Sequence, residues 1–128
     1  MKRLLIALSG LFLLGACGGT ADLDGLNTMT AADLEAQAEA GLEDDVQYID
    51  VRETDEFDEE SIPGFENMPM ALVMDNPSLL NEEEDVVILC NTQNRSKEVA
   101  EALIDAGFDH DRVTVVEGGI SDYNGTVN

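Results

Sequence analysis

Hydrophobic residues along this chain fall into two rhythms, and the alternation between them defines the expected fold. Val46-Gln47-Tyr48-Ile49-Asp50-Val51 carries the β-branched and aromatic residues of a strand, and Val86 to Leu89 and Val113 to Val116 read the same way. Between these runs the spacing turns helical. Leu34, Ala38 and Leu42 recur every four residues behind a Thr30 N-cap, with Asp33 in capping-box position and a stop at Gly41. Val99, Ala100, Leu103 and Ile104 mark the inner face of a helix over 97–106, ended by Gly107. Thr54 to Glu60 predicts a short acidic helix with Phe57 turned inward, and Ile62-Pro63-Gly64 a turn. The apolar run Met70 to Met74 reads as a further short strand, and Pro77 opens another helical turn. Strands alternating with helices predict an α/β fold, a doubly wound parallel sheet flanked by helices on both faces.

The amino-terminal residues obey a different rule. Met1-Lys2-Arg3 is a positive start, Leu4 to Leu14 an apolar run too short to span a bilayer, and Leu14-Gly15-Ala16-Cys17 places small residues before a cysteine. This segment resembles the lipobox of bacterial lipoproteins, in which the cysteine is acylated and becomes the mature amino terminus; an ordinary signal peptide cut nearby is the alternative. The expected organisation is a signal peptide over 1–16, an acylated Cys17 with a flexible tether over 17–27, and a folded domain over 28–128. The resemblance implies a periplasm-facing lipoprotein of the cell envelope, held to the membrane through its lipid. Gly18 lacks the aspartate that retains lipoproteins at the inner membrane, which implies the outer membrane of a Gram-negative bacterium.

Charge narrows the partners. The chain has 28 acidic and 6 basic residues, a formal net charge of −22. Removal of residues 1–16 deletes Lys2 and Arg3 and leaves 4 − 28 = −24. Such a charge excludes nucleic acid and anionic membrane surfaces as partners. Neither the Glu53 to Glu60 stretch nor Glu82-Glu83-Glu84-Asp85 has the spacing of a ligand loop, so neither a metal nor a cofactor is expected. The four basic residues left are Arg52, Arg95, Lys97 and Arg112. Two of them follow Cys90 within seven residues and Arg52 ends another strand, so the cations gather at one sheet edge and suggest an anion site.

Cys90 is the focus of the candidate chemistry. It closes the strand Val86-Val87-Ile88-Leu89 and opens the polar stretch Asn91-Thr92-Gln93-Asn94-Arg95-Ser96 before a helix. The carboxyl end of a buried parallel strand is where open α/β sheets bind ligands. The backbone amides of residues 91–96, followed by a helix amino terminus, favour an anion there, either the thiolate or a bound oxyanion. With Cys17 acylated, Cys90 has no disulfide partner within an exported chain, which points to a reactive thiol or an intermolecular bridge. The sole histidine, His110, lies in a charged turn far along the chain and is given no role.

At this point the chain resembles the single-domain rhodaneses, a sulfurtransferase family, over residues 28–124. The landmarks are Ile49-Asp50-Val51-Arg52 with Glu56-Phe57, Ile62-Pro63-Gly64 with Asn67-Met68-Pro69, the loop Cys90 to Ser96, and Glu117-Gly118-Gly119-Ile120. The resemblance implies a rhodanese-like fold in which Cys90 takes a sulfane sulfur from a donor such as thiosulfate, holds it as a persulfide, and passes it to a thiol or cyanide acceptor. Asn91, Thr92, Gln93, Asn94, Arg95 and Ser96 then form the substrate loop. Arg95 either binds the donor's anionic end or clamps the loop. Asp50 and Arg52 support the site as a pair, with substrate contact by Arg52 the second option. Lys97 in the first helical turn either faces an anion or is an ordinary solvated lysine.

Three positions depart from the family pattern. Gln93 stands where glycine is common, which implies either a differently shaped loop or a side chain at the pocket mouth. Ser61 replaces a frequent histidine and Tyr123 a frequent tryptophan. Two other functions stay in view: a catalytically idle rhodanese module that binds a partner, and an oxyanion-handling phosphatase or arsenate-reductase relative. The second is disfavoured by spacing, because four residues separate Cys90 from Arg95 where the phosphatase signature has five. Disulfide exchange lacks the second cysteine of a Cys-X-X-Cys motif and would have to operate between molecules.

Overall fold

The computed structural model describes Leu23 and residues 25–128; the expected signal segment and Cys17 lie outside them. The elements run β1 (Asn27–Thr30), α1 (Ala31–Ala40), β2 (Val46–Asp50), α2 (Thr54–Glu59), β3 (Glu66–Asn67), α3 (Met70–Asp75), β4 (Asp85–Leu89), α4 (Asn94–Asp105) and β5 (Val113–Glu117). Short 3-10 turns occupy Pro77–Leu79, His110–Arg112 and Gly119–Asp122. The strands form one sheet in the order β1-β5-β4-β2-β3, with every pairing parallel.

Both faces of the sheet are covered, as the alternation of elements requires. Along β4, Val86 and Ile88 join Val73, Val99, Ala100 and Leu103 of α3 and α4 in one apolar cluster. Val87 and Leu89 point the other way, to Ala31 and Leu34 of α1 and to Ile62, Phe65 and Tyr123. A strand buried on both sides reads as a continuous apolar run, which is why β4 stood out. The capping box at Thr30 and Asp33 forms, and Gly41 ends α1 with φ of 104°. That positive φ is reached cheaply only by glycine.

Four boundaries differ from the sequence reading. Residues Met70–Asp75 are a helix, not a strand: Val73 is fully buried while Leu72 and Met74 are 45% and 39% exposed. One inward residue between two outward neighbours on a helix that follows Pro69 follows a turn of three to four residues, and a five-residue apolar run does not distinguish the two periods. The α4 helix begins at Asn94, three residues before the expected start, so Asn94, Arg95 and Ser96, half of the polar stretch, belong to its first turn. Two short edge strands, β1 and β3, were not anticipated; each has a partner on one side only. The segment read as a tether reaches the core, because Leu23 and Leu26 pack against the cluster under α4.

The chain order positions the site. From β2 the chain passes outward to β3, then crosses back to β4 on the other side of β2. The sheet therefore has its topological switch between β2 and β4, the place where such sheets form ligand crevices. Asp50 pairs in register with Leu89, and the Val51 amide donates to the Leu89 carbonyl at 2.9 Å. Cys90 and Arg52 thus emerge side by side at the carboxyl edge.

Candidate active site

Cys90 is the first residue beyond β4 and is 1% exposed. Its sulfur accepts a hydrogen bond from the Ser96 hydroxyl at 2.9 Å, and Ser96 is itself fully buried in the first turn of α4. A sulfur that accepts a buried hydroxyl beside a 12-residue helix's amino terminus is in a setting that stabilises negative charge.

The loop after Cys90 is held from one side by the last 3-10 turn. The Ile120 amide donates to the Cys90 carbonyl at 2.9 Å, and the Ser121 amide to the Asn91 carbonyl at 3.0 Å. Because C=O and N–H of a trans peptide point opposite ways, the amides of Asn91 and Thr92 are turned away from that segment. The approach is close enough to demand glycine. Gly118 and Gly119 have φ of 75° and 58°, and a Cβ at Gly119 would overlap the carbonyl oxygens of Cys90 and Thr92. The Glu117-Gly118-Gly119-Ile120 landmark is therefore a buttress for the cysteine loop. Gly119→Ala is expected to cost about 1–3 kcal/mol in urea unfolding from its left-handed backbone alone. It should also slow alkylation of Cys90 at neutral pH, because the loop must shift to admit the methyl group.

Gln93 settles the question its position raised. Its φ is −152°, so the backbone has no need of glycine, and its side-chain carbonyl accepts from the Gly118 amide at 3.0 Å. The residue ties the loop to the buttress. Asn91 faces the same turn, with its side-chain oxygen 3.4 Å from the Ser121 hydroxyl, and Thr92 contributes the carbonyl crowded by Gly119. Asn94 opens α4.

The structure places Arg95 against protein rather than toward a vacant anion site. Its two terminal nitrogens meet both carboxylate oxygens of Glu56, at 2.8 and 3.2 Å. Of the two roles open to Arg95, this geometry is that of the clamp: it joins α4 to α2 across the site. Glu56 also accepts from the Glu53 amide at the start of α2. The Arg95 hydrogen bonds hold the Glu56 carboxyl at about 2, against an ordinary 4.5, and Glu56 in turn raises the Arg95 pKa. A depressed carboxyl contributes stability that is complete above its unfolded pKa and lost as pH falls toward about 2. Both side chains are about one-third exposed, so the pair is worth on the order of 1 kcal/mol or less. Glu56→Gln should unfold more easily than wild type by that amount from pH 8 to 5, with the gap closing only below pH ~4.5.

Asp50 and Arg52 form a buried pair. Arg52 Nε and Nη2 donate to the Asp50 carboxylate at 3.0 and 2.8 Å, and Asp50 also accepts the Arg52 amide. The remaining guanidinium donors reach the carbonyls of Glu60, at 2.6 Å, and Glu56. Arg52 thus ties the middle and the carboxyl end of the acidic helix α2 to the sheet edge. Asn67 completes the arrangement by donating to the carbonyls of Asp50 and Arg52.

The other cations do not converge on the sulfur. Lys97 lies 3.7 Å from Glu101 one turn along α4, the ordinary exposed pair, so its place in the first turn needs no bound anion. Arg112 lies 3.5 Å from Asp85 at the far end of β4. The sequence signal for a cationic cluster was real in position, yet each of these four side chains is matched to a carboxylate. Glu56 was the functional neighbour that sequence reasoning missed as a partner; it had been quoted only as a landmark. His110, remote from the site, contacts the Gly25 carbonyl, which raises its pKa.

A cleft of about 400 Å³ opens beside the loop, lined by Arg52, Glu56, Glu59, Glu60, Asn91 and Tyr123 among others. Asn91, the neighbour of Cys90 in sequence, is part of its wall, while Cys90 itself lies buried behind it. Fold and site together define an α/β domain that carries one thiol on a clamped loop at a sheet switch point. The comparisons give the family of the fold. Residues 30–126 match the rhodanese-like domain family, and the chain belongs to that family. It is 39% identical over 85 residues to the Arabidopsis thaliana "Rhodanese-like/PpiC domain-containing protein 12, chloroplastic", covering 63% of this chain and 28% of that one. It is 28% identical over 109 residues to the Bacillus subtilis "Putative sulfur carrier protein YrkF", covering 84% of this chain and 58% of that one. The chain thus spans well under two-thirds of either relative's length. The crystal structure of a rhodanese-like domain protein from Staphylococcus aureus superposes with a TM-score of 0.67 at 29% identity, covering 78% of this chain and 93% of that one.

Proposed function

We propose that this protein is a sulfurtransferase that carries a sulfane sulfur on Cys90 between a donor and a thiophilic acceptor. The observation that carries the reading is the environment of the Cys90 sulfur: the Ser96 hydroxyl donates to it, and the α4 amino terminus follows the loop at once. In the first step the Cys90 thiolate attacks the donor's outer sulfur. A new S–S bond forms, the donor's own bond to that sulfur breaks, and its electron pair leaves with the donor fragment. In the second step a thiol or cyanide attacks the outer sulfur of the persulfide, and the Cys90 thiolate is regenerated. No general base is needed if the sulfur enters as the thiolate, and none is contributed by the only histidine.

Two supports stand beside this. The relative named above is a sulfur carrier protein by name, and the loop's clamps hold the nucleophile in place between half-reactions. The test is to expose the protein to a sulfane donor, add cyanide, and follow thiocyanate. Turnover that vanishes in Cys90→Ser supports the proposal; no turnover with any donor contradicts it.

A second reading is favoured by one observation. Cys90 is 1% exposed, which suits a rhodanese module that binds a partner without turning sulfur over. Failure of small alkylating reagents to reach Cys90 in the folded protein would favour that module. Phosphatase chemistry gains nothing from the geometry, because the guanidinium that would hold an oxyanion is engaged by Glu56.

The proposal extends to location on sequence grounds alone. The lipobox-like Leu14-Gly15-Ala16-Cys17 supports acylation of Cys17 and a domain tethered on the periplasmic side of the envelope, at the outer membrane.

A further inference from the structure

A second pocket, of about 240 Å³, lies between α1 and the carboxyl-terminal residues. Ala38, Leu42 and Pro63 give it apolar walls, while Glu35, Glu39 and Tyr123 bring polar groups. It falls below the roughly 300–1,000 Å³ that holds drug-sized ligands, so it suits a small molecule.

Tyr123 is what points to a ligand. The residue is 8% exposed, and among the described residues no group hydrogen-bonds to its hydroxyl. A buried hydroxyl ordinarily has a partner. The hydroxyl end of the ring meets the pocket wall: a Cβ on Gly125, another lining residue, would sit 2.5 Å from Tyr123 Oη. Burial raises the Tyr123 pKa and the charges of Glu35 and Glu39 raise it further, so the hydroxyl stays protonated with both carboxylates near it. Glu35 is fixed in place, because its Oε2 accepts the Asn124 amide at 2.8 Å. No cation pairs with Glu35 or Glu39 among the described residues. The pocket therefore offers hydrogen-bond acceptors among apolar walls, which fits a molecule with several N–H donors and opposes an anion.

We propose that this pocket binds a small organic ammonium ion, its apolar body between Leu42 and Pro63 and its N–H groups on the Tyr123 hydroxyl and the Glu35 carboxylate. The site is separate from Cys90 and does not depend on sulfur transfer.

The experiment titrates the full chain with n-butylammonium, butan-1-ol and butanoate, in about 0.15 M NaCl to screen exposed charges. Amide chemical shifts of Ala38, Gly125 and Thr126 are followed by NMR. Butylammonium should shift them saturably, butan-1-ol should bind at least about tenfold more weakly, and butanoate should leave them unmoved. Tyr123→Phe keeps the ring, removes the hydroxyl, and should weaken butylammonium roughly tenfold. Ala38→Leu, a good helix former on α1, fills the pocket and should abolish saturable binding with the fold retained. Saturable shifts lost in Ala38→Leu support the proposal. Shifts spread over the acidic surface and unchanged in Ala38→Leu would show attraction to net charge alone and overturn it. So would butan-1-ol binding as tightly as butylammonium, undiminished binding in Tyr123→Phe, or no saturable shift at all.

Discussion

Cys90→Ser is expected to yield a folded protein that takes up no sulfur. Serine is close to cysteine in volume, and the Ser96 hydroxyl that now donates to the sulfur would meet another hydroxyl. The cost is that of placing a more polar group in a buried apolar cluster, about 1 kcal/mol, because a hydrogen-bond partner is already there. Circular dichroism should therefore be unchanged at room temperature. Activity has no such cushion. An alkoxide is not available at neutral pH, and the oxygen of a serine cannot hold a transferable sulfane sulfur. Thiocyanate formation should fall to the uncatalysed background, at least about a thousandfold. Residual turnover above a tenth of wild type would show that the sulfur is carried elsewhere.

Arg52→Met should produce the largest loss of stability. Asp50 is fully buried, and Arg52 supplies the charge that compensates it. Removing one partner of a buried pair leaves an unmatched carboxylate in the interior, which costs about 3–5 kcal/mol. The carbonyls of Glu56 and Glu60 lose their donors at the same time, so α2 loses its anchor to the sheet edge. For a domain of this size such a loss lowers the melting temperature by more than about 10 °C. The double variant Asp50→Asn, Arg52→Met removes the stranded charge and should recover part of the loss. A single variant that melts within about 2 °C of wild type would show that water, not Arg52, solvates Asp50.

Much of the fold was legible because the residues that specify it act locally. Thr30 with Asp33 announced a helix start, Gly41 its end, and the doubly buried run Val86 to Leu89 a central parallel strand. Met70 to Met74 was not legible, since Val73 alone decides which face is buried and a five-residue apolar run fits either period. The edge strands escaped for a related reason: β1 alternates only over four residues and β3 has two, too few for any pattern.

The site divides along the same line. That Cys90 ends a strand and faces a helix start followed from neighbours in sequence. That Arg95 grips Glu56, 39 residues away, did not, because a pairing between distant charged residues leaves no trace in periodicity. The gathering of Arg52 and Arg95 near Cys90 suggested an anion site, and only the carboxylates opposite them show how that charge is used. Gln93 posed the reverse problem. Its departure from glycine implied a reshaped loop or a side chain at the pocket mouth, and its φ of −152° with a bond to the Gly118 amide shows a tie within the loop.

The central claim is that the buried Cys90 sulfur is reachable and able to hold a second sulfur atom. Intact-protein mass spectrometry after brief exposure to a persulfide donor tests it most directly. The account predicts a single added sulfur, located to Cys90 by fragmentation and removed by cyanide. A protein whose mass does not change, or that gains sulfur equally when Cys90 is serine, would contradict it.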